Sequence, residues 1–458
     1  MDTSCAVILA AGDGKRMKSK SPKVLCEVLF KPMISWVADA VRGAGIESCC
    51  VVVSPHGEGE ISPILPKGFT TALQAERLGT GHAAFMAADF IRRGGFSDVL
   101  VLYGDAPFFS SEDIARGLEV HKAQNNHVTA YSALLDNPYG YGRIVQQDST
   151  LRIIEEKDAD PATKQIKQIN AGTYWFNAAF LLEFFERMDC SNAQGEYYLT
   201  DSVGYASQTG KDAGIFAVEA SHVHGANDRA GLSLLNDIAR RKIISGHLEA
   251  GVNIPFADGI IIGPDVQIGA DTTILLGSIL RGKTTIGEDC EIGPDTMLTN
   301  ARIGAGCLIR SSQIEKSCVE DNARIGPWCN IRPDCAVGSK ARIGNFVELK
   351  NSNIGAGTSV AHLTYIGDSD VGAGCNFGCG VVTANYDGKD KHRTVVGDHC
   401  FIGCNCNLVP PVKMGNRVYA ATGTTVTEDV PDGSLVIGRV RQEVKKGWAD
   451  KRGLFTKK

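Results

Sequence analysis

The spacing of apolar residues changes once along the chain, near residue 250. Before that point, short apolar runs (Ala6–Leu9, Cys49–Val53 and Val99–Tyr103) alternate with stretches of helical spacing such as Met33–Val41. This alternation predicts βαβ units, that is, a mostly parallel sheet covered by helices. Ligands of such sheets bind beyond the carboxyl ends of the strands, so the loops after the first and third runs are the first candidate sites.

A six-residue period replaces this pattern from Ile262 onward. An aliphatic residue opens each unit, glycine often follows it, and a small residue commonly comes four positions after it. A hexapeptide repeat sustained over about 170 residues is typical of a parallel β-helix with triangular coils. We therefore expect the aliphatic residues to point into a prism. Residues 228–248 have the spacing of a single helix and are expected to form an arm between the two halves.

Cysteines recur within the repeat, four positions after the aliphatic residue that opens a unit. At that position they are expected to act as small apolar fillers of the prism corners. A zinc site is the alternative, but no paired Cys-x-x-Cys with further ligands at finger-like spacing supports it. The eight cysteines are Cys290, Cys307, Cys318, Cys329, Cys335, Cys375, Cys400 and Cys406.

One segment interrupts the repeat, between Val382 and Val396. It contains the sequence Asn385–Gly388 and is expected to loop out of the prism. Long loops on compact scaffolds are often functional, so this segment is a candidate part of a site.

Composition narrows the classes of function. The 458 residues carry a net charge of −5, without the basic surplus that nucleic-acid-binding proteins usually show. An apolar content of 43% excludes wholesale disorder.

The N-terminal sequence does not have the pattern of a signal peptide, and no run reaches the ~18 apolar residues of a membrane span. Because the fifteen cysteines are an odd number in a long chain, we expect reduced thiols in a cytoplasm.

Polar residues follow two of the predicted strands. The glycine-rich loop Leu9–Met17 could offer backbone N–H groups to phosphate oxygens while Arg16 neutralises their charge; a simple tight turn is the alternative. The spacing is not that of a Walker A loop. Lys23 follows a proline and could reach the same phosphates, or could be a solvated surface lysine. Asp105 suits Mg²⁺, although an Asp that starts a turn is the alternative.

One histidine of the repeat, His362, lies two positions after an aliphatic residue, where its side chain can reach the prism surface. A neutral imidazole there could take a proton from an attacking amine. An exposed histidine without a catalytic role is the alternative.

These patterns occur with many further ordered motifs that together resemble a known family. The motifs are Leu9–Gly12, Pro22–Leu25, Gln74–His82, Tyr103–Asp105, Gly140–Arg143, Glu155–Asp158, Asn170–Gly172, Asn192–Tyr198, Gly225–Asp228, Ala361–Tyr365 and Asn385–Gly388. The front half resembles the nucleotide-diphospho-sugar pyrophosphorylases, and the repeat resembles the hexapeptide acyltransferases. In this order, from about Ala6 to Trp448, the chain resembles the bifunctional N-acetylglucosamine-1-phosphate uridyltransferases/glucosamine-1-phosphate N-acetyltransferases.

The resemblance implies an α/β Rossmann-like nucleotidyltransferase domain at 1–227 and a helical linker arm at 228–249. It further implies a left-handed parallel β-helix at 250–437 and a basic C-terminal tail at 438–458.

In the front half, the resemblance implies transfer of UMP from UTP to N-acetylglucosamine-1-phosphate by in-line attack, without a protein nucleophile. Lys23 and Arg16 would stabilise charge on the triphosphate, Asp105 and Asn227 would bind Mg²⁺, and Gln74 would read the uracil edge. The residues expected to hold the nucleotide are Leu9, Ala10, Ala11, Gly12, Gln74, Gly79, Thr80, Tyr103 and Gly104. Those expected to hold the sugar are Gly142, Glu155 and Asn170.

In the β-helix, the resemblance implies acetylation of glucosamine-1-phosphate by acetyl-CoA, with His362 as general base. The residues expected to hold the acceptor are Arg332, Lys350, Tyr365, Asn376 and Asn385, the first two through its phosphate. Those expected at the acetyl-CoA site are Cys379, Tyr386, Cys404, Thr422 and Arg439. Cys379 and Thr422 stand where the family commonly has Ala, and Cys404 where it has Ser. A thiol donates weaker hydrogen bonds, so we expect an effect on acetyl-CoA affinity.

Two other functions are weighed against the bifunctional enzyme. One is a single-activity pyrophosphorylase whose β-helix only assembles or regulates subunits, and the other is a non-catalytic scaffold. His362, Lys350 and the loop Asn385–Gly388 argue against the first. Asp105, Asn227 and Lys23 together argue against the second. The resemblance also implies a homotrimer with acetyl-transfer sites between subunits, a tail that partly covers coenzyme A phosphates, and small-molecule substrates. From the net charge and the lack of a long apolar run we expect no nucleic-acid or membrane partner.

Overall fold

The structure is a computed structural model that describes residues 3–12, 14–147 and 150–455. Backbone contacts divide the chain into two compact units, Met1–Ala239 and Arg240–Lys458. Within the described ranges, no helix combines the length and the apolar character needed to cross a membrane.

The first unit is an α/β domain. Its strands are β1 (Ser4–Leu9), β2 (Glu27–Val28), β3 (Lys31–Pro32), β4 (Cys49–Val53), β5 (Phe69–Leu73), β6 (Asp98–Tyr103), β7 (Val128–Leu134), β8 (Arg143–Gln147), β9 (Thr150–Ile154), β10 (Gln168–Asn177) and β11 (Ala213–Ala217). Its α-helices are α1 (Met33–Gly43), α2 (Glu58–Ile61), α3 (Thr80–Phe85), α4 (Ala88–Gly94), α5 (Ser111–Ala123), α6 (Ala178–Phe185) and α7 (Asp201–Gln208). Short 3₁₀ helices lie at Lys15–Met17, Lys23–Leu25, Ser62–Ile64, Thr163–Gln165 and Ala220–His222.

The main sheet has the strand order β11-β7-β10-β6-β1-β4-β5. The strands β6, β1, β4 and β5 are parallel to one another, whereas β10 is antiparallel to both β6 and β7, and the hairpin β8–β9 adjoins β10. The sheet is therefore mixed, and the predicted parallel character holds for the half that begins at β6.

The central strand shows why the run Ser4–Leu9 is almost entirely apolar. Cys5, Val7 and Leu9 pack in the core on one side of the sheet, and Ala6 and Ile8 pack in the core on the other. A strand covered on both faces buries every side chain, so a continuous apolar run replaces the alternating pattern of a half-exposed strand.

Helix α8 spans Arg229–Glu249, within one residue of the predicted helix at each end, and the division between the units falls inside it. In the part that belongs to the first unit, Leu235 is fully buried, and Asn236 Oδ1 accepts a 2.9 Å hydrogen bond from Leu29 N. In the part that belongs to the second unit, Ile244 packs in the core of the prism.

After the end of α8, the described part of the second unit contains mostly short parallel strands, followed by a short helix. The strands are β12 (Ile261–Ile262), β13 (Gln267–Ile268), β14 (Thr273–Ile274), β15 (Ile279–Arg281), β16 (Thr285–Ile286), β17 (Glu291–Ile292), β18 (Met297–Thr299), β19 (Arg302–Ile303), β20 (Leu308–Ile309), β21 (Gln313–Glu315), β22 (Cys318–Val319), β23 (Arg324–Ile325), β24 (Asn330–Ile331), β25 (Ala336–Val337), β26 (Arg342–Lys350), β27 (Asn353–Ile354), β28 (Ser359–Gly367), β29 (Ser369–Val371), β30 (Asn376–Phe377), β31 (Val382–Thr383), β32 (Thr394–Val396), β33 (Phe401–Ile402), β34 (Asn407–Leu408), β35 (Val412–Met414), β36 (Tyr419–Ala420), β37 (Thr425–Val426) and β38 (Leu435–Val436). The helix is α9 (Trp448–Lys451).

Parallel pairing between successive coils stacks the inward apolar residues into three ladders, one for each face of the prism. The first ladder contains Ile262, Leu280, Leu298, Ile314, Ile331, Leu349 and Ile366. The second contains Ile274, Ile292, Ile309, Ile325, Ile343, Val360, Phe377 and Ile402. The third contains Ile268, Ile286, Ile303, Val319, Val337, Ile354, Val371, Val396 and Met414. The predicted fold class, an α/β domain followed by a left-handed parallel β-helix, is confirmed.

Seven of the eight repeat cysteines are buried, as expected for corner fillers, but the prediction is wrong for Cys318. Its coil is one residue short, because the inward residues Ile314 and Val319 are five rather than six positions apart. Ser317 therefore takes the buried corner position and donates to Arg332 O at 2.9 Å, while Cys318 lies half-exposed on the outer side of β22.

The interruption of the repeat is a loop, as predicted, and it joins β31 to β32. Tyr386 and Lys391 form an antiparallel bridge across it. Inside the loop, Asp387 accepts hydrogen bonds from Lys389 N at 2.8 Å and from Asp390 N at 2.7 Å. These contacts give the loop a defined conformation.

Candidate active sites

The carboxyl ends of β1 and β6 meet at one edge of the sheet, because Leu9 pairs with Tyr103 in parallel register. Gly104 N donates to Leu9 O at 2.9 Å, which ties the two loops together at a surface cavity. The predicted residues that line this cavity are Leu9, Ala10, Ala11, Gly12, Lys23, Gln74, Gly79, Thr80, Tyr103 and Asp105. Arg16 is exposed on the 3₁₀ helix Lys15–Met17 and does not line it, whereas Arg77 and Glu196, which the sequence did not single out, do.

At the cavity, the Lys23 ammonium contacts both residues that the resemblance implies as metal ligands. It forms an ion pair with the Asp105 carboxylate and donates a 2.8 Å hydrogen bond to Asn227 Oδ1. Lys23 and Asp105 are mostly buried, with 13% and 23% of their side chains exposed. A carboxylate oxygen and an amide oxygen therefore face one cationic position, and such hard oxygen donors are the ligands that Mg²⁺ prefers.

The side-chain amide of Gln74 is buried and fixed. Gln74 Nε2 lies 3.1 Å from His82 Nδ1 and 3.3 Å from the Gly79 carbonyl oxygen, to which it donates. Gly79 has a φ of 114°, and a side chain there would lie 2.4 Å from Tyr197 O, so only glycine fits. Thr80 begins α3, and its Oγ1 accepts a 3.1 Å hydrogen bond from Leu199 N. The segment that follows β5 is thus held against the cavity.

The three residues expected to hold the sugar lie together. Asn170 N donates to Gly142 O at 2.9 Å, and a Cβ atom on Gly142 would lie 3.5 Å from both carboxylate oxygens of Glu155. Burial raises the pKa of the Glu155 carboxyl, and the 3.1 Å hydrogen bond from Thr200 Oγ1 offsets part of that rise. Asn170 is buried and donates through Nδ2 to the Tyr174 hydroxyl at 2.6 Å.

A buried arginine that the sequence did not single out organises this region. Arg143 is 1% exposed; it donates to Tyr141 O and, at 2.8 Å, to Glu156 Oε2. Gly140 N donates to the same Glu156 oxygen at 3.2 Å. Arg143 thus ties the loop that holds Gly142 to the loop that follows β9. The motif placed an arginine after glycine, but nothing in the sequence indicated its burial.

In the prism, four predicted residues lie in one column along a single corner. Positive φ angles mark this corner in successive coils, at Leu363, Gly380, Asn405 and Gly423. The parallel pairings Val360–Phe377 and Phe377–Ile402 align the strands just before this corner, so the corner residues of successive coils are in register. The residues directly before the four positive-φ positions are His362, Cys379, Cys404 and Thr422, and all four are exposed. The prism surface therefore carries the imidazole, two thiols and a hydroxyl on consecutive coils, about 4.8 Å apart per step.

Basic and amide side chains cluster on the face that follows this corner. Arg332 and Lys350 are neighbours in register, and Arg332 Nη1 pairs with Glu348 Oε1 at 3.0 Å. The pKa of Lys350 is lowered, chiefly by the neighbouring ammonium of Lys391 and also by burial. Two adjacent cations of this kind favour an anion such as a phosphate.

Gly367 opens space on the same face for two further predicted residues. A Cβ atom at Gly367 would lie 2.4 Å from the Tyr365 hydroxyl and 2.9 Å from Asn385 Nδ2. Asn385 is buried and donates to Asp368, which also accepts a 2.5 Å hydrogen bond from Asn351 Nδ2. Asp368 and Lys391 were not singled out in the sequence, because an Asp after glycine and a loop lysine have ordinary surface patterns.

Three further predicted prism residues remain, Asn376, Tyr386 and Arg439, of which Tyr386 adjoins the cluster through its bridge with Lys391. Asn376 is exposed on the face that precedes the corner, on β30. Tyr386 is 60% exposed in the loop, where its hydroxyl donates to Gly388 O at 2.7 Å. Arg439 extends the column, because its Nη1 donates to Thr422 O at 2.8 Å.

A family model described as nucleotidyl transferase matches residues 5–221, the region of the sheet and its strand-end cavity. This match and the prism together define the class of protein: a nucleotidyltransferase domain followed by a hexapeptide-repeat β-helix. Over 454 residues the chain is 46% identical to the bifunctional protein GlmU of Caldanaerobacter subterraneus subsp. tengcongensis, with 99% of each chain covered. Over 453 residues it is 43% identical to the GlmU protein of Clostridium acetobutylicum, covering 98% of this chain and 99% of the relative. The chain belongs to the family of bifunctional GlmU proteins.

Membership of this family confirms the resemblance seen in the sequence and favours the bifunctional enzyme over the single-activity alternative. The protein is an enzyme with uridyltransferase and acetyltransferase activities. Among solved structures, a putative glucose-1-phosphate thymidylyltransferase from Bacillus anthracis, in complex with a sucrose, covers 52% of this chain and 96% of its own at 21% identity. Its TM-score of 0.44 is too low to assign function.

Proposed function

We propose that the chain makes UDP-N-acetylglucosamine in two reactions, one in each unit. The β-helix acetylates glucosamine-1-phosphate with acetyl-CoA. The first unit then transfers UMP from UTP to N-acetylglucosamine-1-phosphate and releases pyrophosphate. The main support for the proposal is that Lys23, which lines the strand-end cavity with Asp105, contacts both Asp105 and Asn227, because uridyl transfer needs charge neutralisation at this cavity.

In uridyl transfer, the sugar phosphate oxygen attacks the α-phosphorus of UTP, and no residue of the chain forms a covalent bond. Leu9–Gly12 offers backbone N–H groups to the phosphates, and Lys23 stabilises their developing charge. Arg16, exposed on the same loop and outside the cavity lining, is proposed as a second cation. Asp105 and Asn227 would hold Mg²⁺, which neutralises phosphate charge when bound. The fixed amide of Gln74 reads the uracil edge, and Gly79, Thr80, Tyr103 and Gly104 complete the nucleotide site.

We further propose that Gly142, Glu155 and Asn170 hold the sugar. The Glu155 carboxylate accepts hydrogen bonds from sugar hydroxyls, and the Asn170 amide offers both a donor and an acceptor. The proximity of Gly142 to the Glu155 carboxylate supports this assignment.

In acetyl transfer, His362 takes a proton from the amine of glucosamine-1-phosphate as the nitrogen attacks the thioester carbonyl. The C–N bond forms, the C–S bond breaks, and coenzyme A leaves as the thiol. Cys379, Cys404 and Thr422 line the thioester on the coils beyond His362, with Tyr386 and Arg439 at the edges of the coenzyme site. Arg332 and Lys350 bind the sugar phosphate, and Tyr365, Asn376 and Asn385 bind the sugar.

The prism surface also supports self-association, and we propose a homotrimer. Trp328 and Phe346 stack on neighbouring coils with ring centroids 5.2 Å apart, and both are more than half exposed. Leu363 continues this apolar column with 61% exposure. Large apolar side chains that remain exposed in a column are typical of a protein interface. In this assembly the basic tail beyond Gly438 would cover coenzyme A phosphates, and the linker arm 228–249 would join the two domains.

We propose a cytoplasmic enzyme that acts on small molecules only. Support comes from the fifteen cysteines, which all lie in the described part of the chain and are all unpaired.

A product assay tests the proposal directly. The full-length protein is incubated with UTP, acetyl-CoA, glucosamine-1-phosphate and Mg²⁺, and UDP-N-acetylglucosamine is measured by mass spectrometry. His362→Ala should abolish acetyl transfer alone, and Asp105→Ala should abolish uridyl transfer alone. Loss of both reactions in either folded variant would show that the division of labour is wrong.

A further inference from the structure

Two exposed cysteines, Cys379 and Cys404, lie in register on successive coils of the prism. Phe377 pairs with Ile402 between β30 and β33, and each cysteine follows two positions after its member of that pair. Asn405 N donates to Cys379 O at 2.8 Å, which keeps this register through the corner. Because adjacent parallel strands lie about 4.8 Å apart, the two Cα atoms are spaced within the 4.4–6.8 Å range that a disulfide requires.

The same two coils carry a second pair of cysteines, which is shielded from solvent. Cys375 and Cys400 also lie in register, and Cys400 N donates to Cys375 Sγ at 3.4 Å. Both are 2% exposed, and burial raises the pKa of Cys375 to about 11. Thiol–disulfide exchange requires an accessible thiolate, so the outer pair is open to reagents in solution and the inner pair is not.

The outer pair lies where the proposed acetyl transfer takes place. Cys379 is on the coil that follows His362, and Thr422 is on the coil that follows Cys404. His362 and Cys379 therefore occupy the same register position on successive coils. A covalent change at either sulfur alters the surface on which the thioester is proposed to lie.

We propose that Cys379 and Cys404 form a redox-sensitive dithiol that controls acetyl transfer. The thiolate of one cysteine attacks a low-molecular-weight disulfide, which forms a mixed disulfide and releases one thiol. The second cysteine attacks the protein sulfur of that bond, which closes the Cys379–Cys404 disulfide and releases the second thiol. The two cysteines are oxidised, the reagent is reduced to two thiols, and the two cysteine protons end on those thiols.

The disulfide blocks acetyl transfer because it ties together two coils at the proposed thioester site and removes both S–H groups from it. This consequence rests on the proposed function of the column, whereas formation of the bond rests only on register and exposure.

The test uses the full-length protein and oxidised glutathione. The reduced protein is incubated with the reagent, quenched in acid, and examined by intact mass and by peptide mapping. Acetyl transfer is followed as N-acetylglucosamine-1-phosphate by mass spectrometry, and uridyl transfer is measured separately on supplied N-acetylglucosamine-1-phosphate. We expect a Cys379–Cys404 bond without retained glutathione, a fall in acetyl transfer of about tenfold, unchanged uridyl transfer, and recovery with dithiothreitol.

Variants separate the dithiol from other thiols. Cys379→Ala and Cys404→Ser should each retain glutathione as a mixed disulfide at the remaining cysteine. In the double variant, the acetyl-transfer rate after treatment with oxidised glutathione should equal the rate of the untreated, reduced variant. Cys190→Ser removes an exposed thiol of the first unit and should respond like the unchanged protein.

Three outcomes would overturn the proposal. These are a bond between Cys375 and Cys400 in place of the outer pair, an outer bond that leaves acetyl transfer unchanged, and a double variant that is still inactivated. If the reduced protein transfers no acetyl group at all, the proposed acetyltransferase function fails. Peptide mapping would still show whether the Cys379–Cys404 disulfide forms.

Discussion

Lys23 Nζ donates a 2.8 Å hydrogen bond to Asn227 Oδ1 across 204 positions of the sequence. The same ammonium pairs with Asp105, so one cation joins the loop after β1, the end of β6 and the segment before α8. Removing one member of a mostly buried charged group leaves its partner uncompensated. We therefore expect the three residues to behave as a unit in uridyl transfer.

Lys23→Met keeps the length of the side chain and removes its charge. Because a preorganised donor at the developing phosphate charge is lost, we expect kcat for uridyl transfer to fall by about 10²–10³-fold. Pyrophosphate release at saturating substrate measures this. Acetyl transfer by the same preparation serves as the internal control and should not change. Retention of full uridyl transfer would mean that Lys23 only neutralises Asp105 in the resting protein.

His362→Asn removes the proposed general base and keeps a polar side chain on the corner. We expect kcat for acetyl transfer to fall by about 10²–10⁴-fold, with uridyl transfer unchanged. His399→Asn is the matched control, because His399 is another exposed histidine of the prism, and Asn tolerates its φ of 56°. An equal loss in both variants would argue against a specific role for His362.

The sequence predicted the repeating parts of the molecule well, because one period determines both the strands and the inward residues. It failed at Cys318, where a coil one residue short moves Ser317 into the corner. It also did not reveal that His362, Cys379 and Cys404 form one column, because a long loop separates the last two coils. Arg143 was missed because burial of a lone arginine depends on contacts with distant loops, which local sequence does not encode.

Asp368 is a positioning residue, because it accepts hydrogen bonds from Asn385 and Asn351 and orients the Asn385 amide. Asp368→Ala should raise KM for glucosamine-1-phosphate by about tenfold, the value of one hydrogen bond to a charged group, with a smaller effect on kcat. Acetyl-transfer rates at varied glucosamine-1-phosphate concentration give the separate effects on KM and kcat. Asp368→Asn retains an acceptor oxygen and should recover part of the loss. A change confined to kcat would contradict a positioning role.

Ile331 lies in the first ladder of the prism and is fully buried. Ile331→Ala should lower the free energy of unfolding by about 2–5 kcal/mol, because the ladder cannot close around the cavity that is left. Chemical denaturation of the full-length protein, followed by circular dichroism, measures the shift. Asn330→Ala on the same strand is exposed and should shift the transition little. Equal shifts in both variants would contradict the inward ladder.

Glu155 should show opposite effects on stability and on activity. Burial raises the pKa of its carboxyl, so the folded protein binds this proton more tightly than the unfolded chain does. The resulting stabilisation is present at low pH and is lost as pH rises through the folded pKa. At pH 8 the buried charge therefore costs stability, and Glu155→Gln should raise the free energy of unfolding there.

In uridyl transfer, the ionised Glu155 carboxylate is the proposed acceptor of hydrogen bonds from the sugar hydroxyls. Glu155→Gln should lower kcat/KM for N-acetylglucosamine-1-phosphate by about 10–100-fold, the cost of losing a charged acceptor. As pH falls, activity of the unchanged protein should decline at a higher pH than for an ordinary glutamate, and the variant should lack that decline. Thermal unfolding and uridyl-transfer rates across pH 5–8 measure both effects. If the variant lost both activity and stability, Glu155 would be a structural residue. Only a substrate-binding carboxylate that destabilises the fold should lower activity and raise stability when it is replaced.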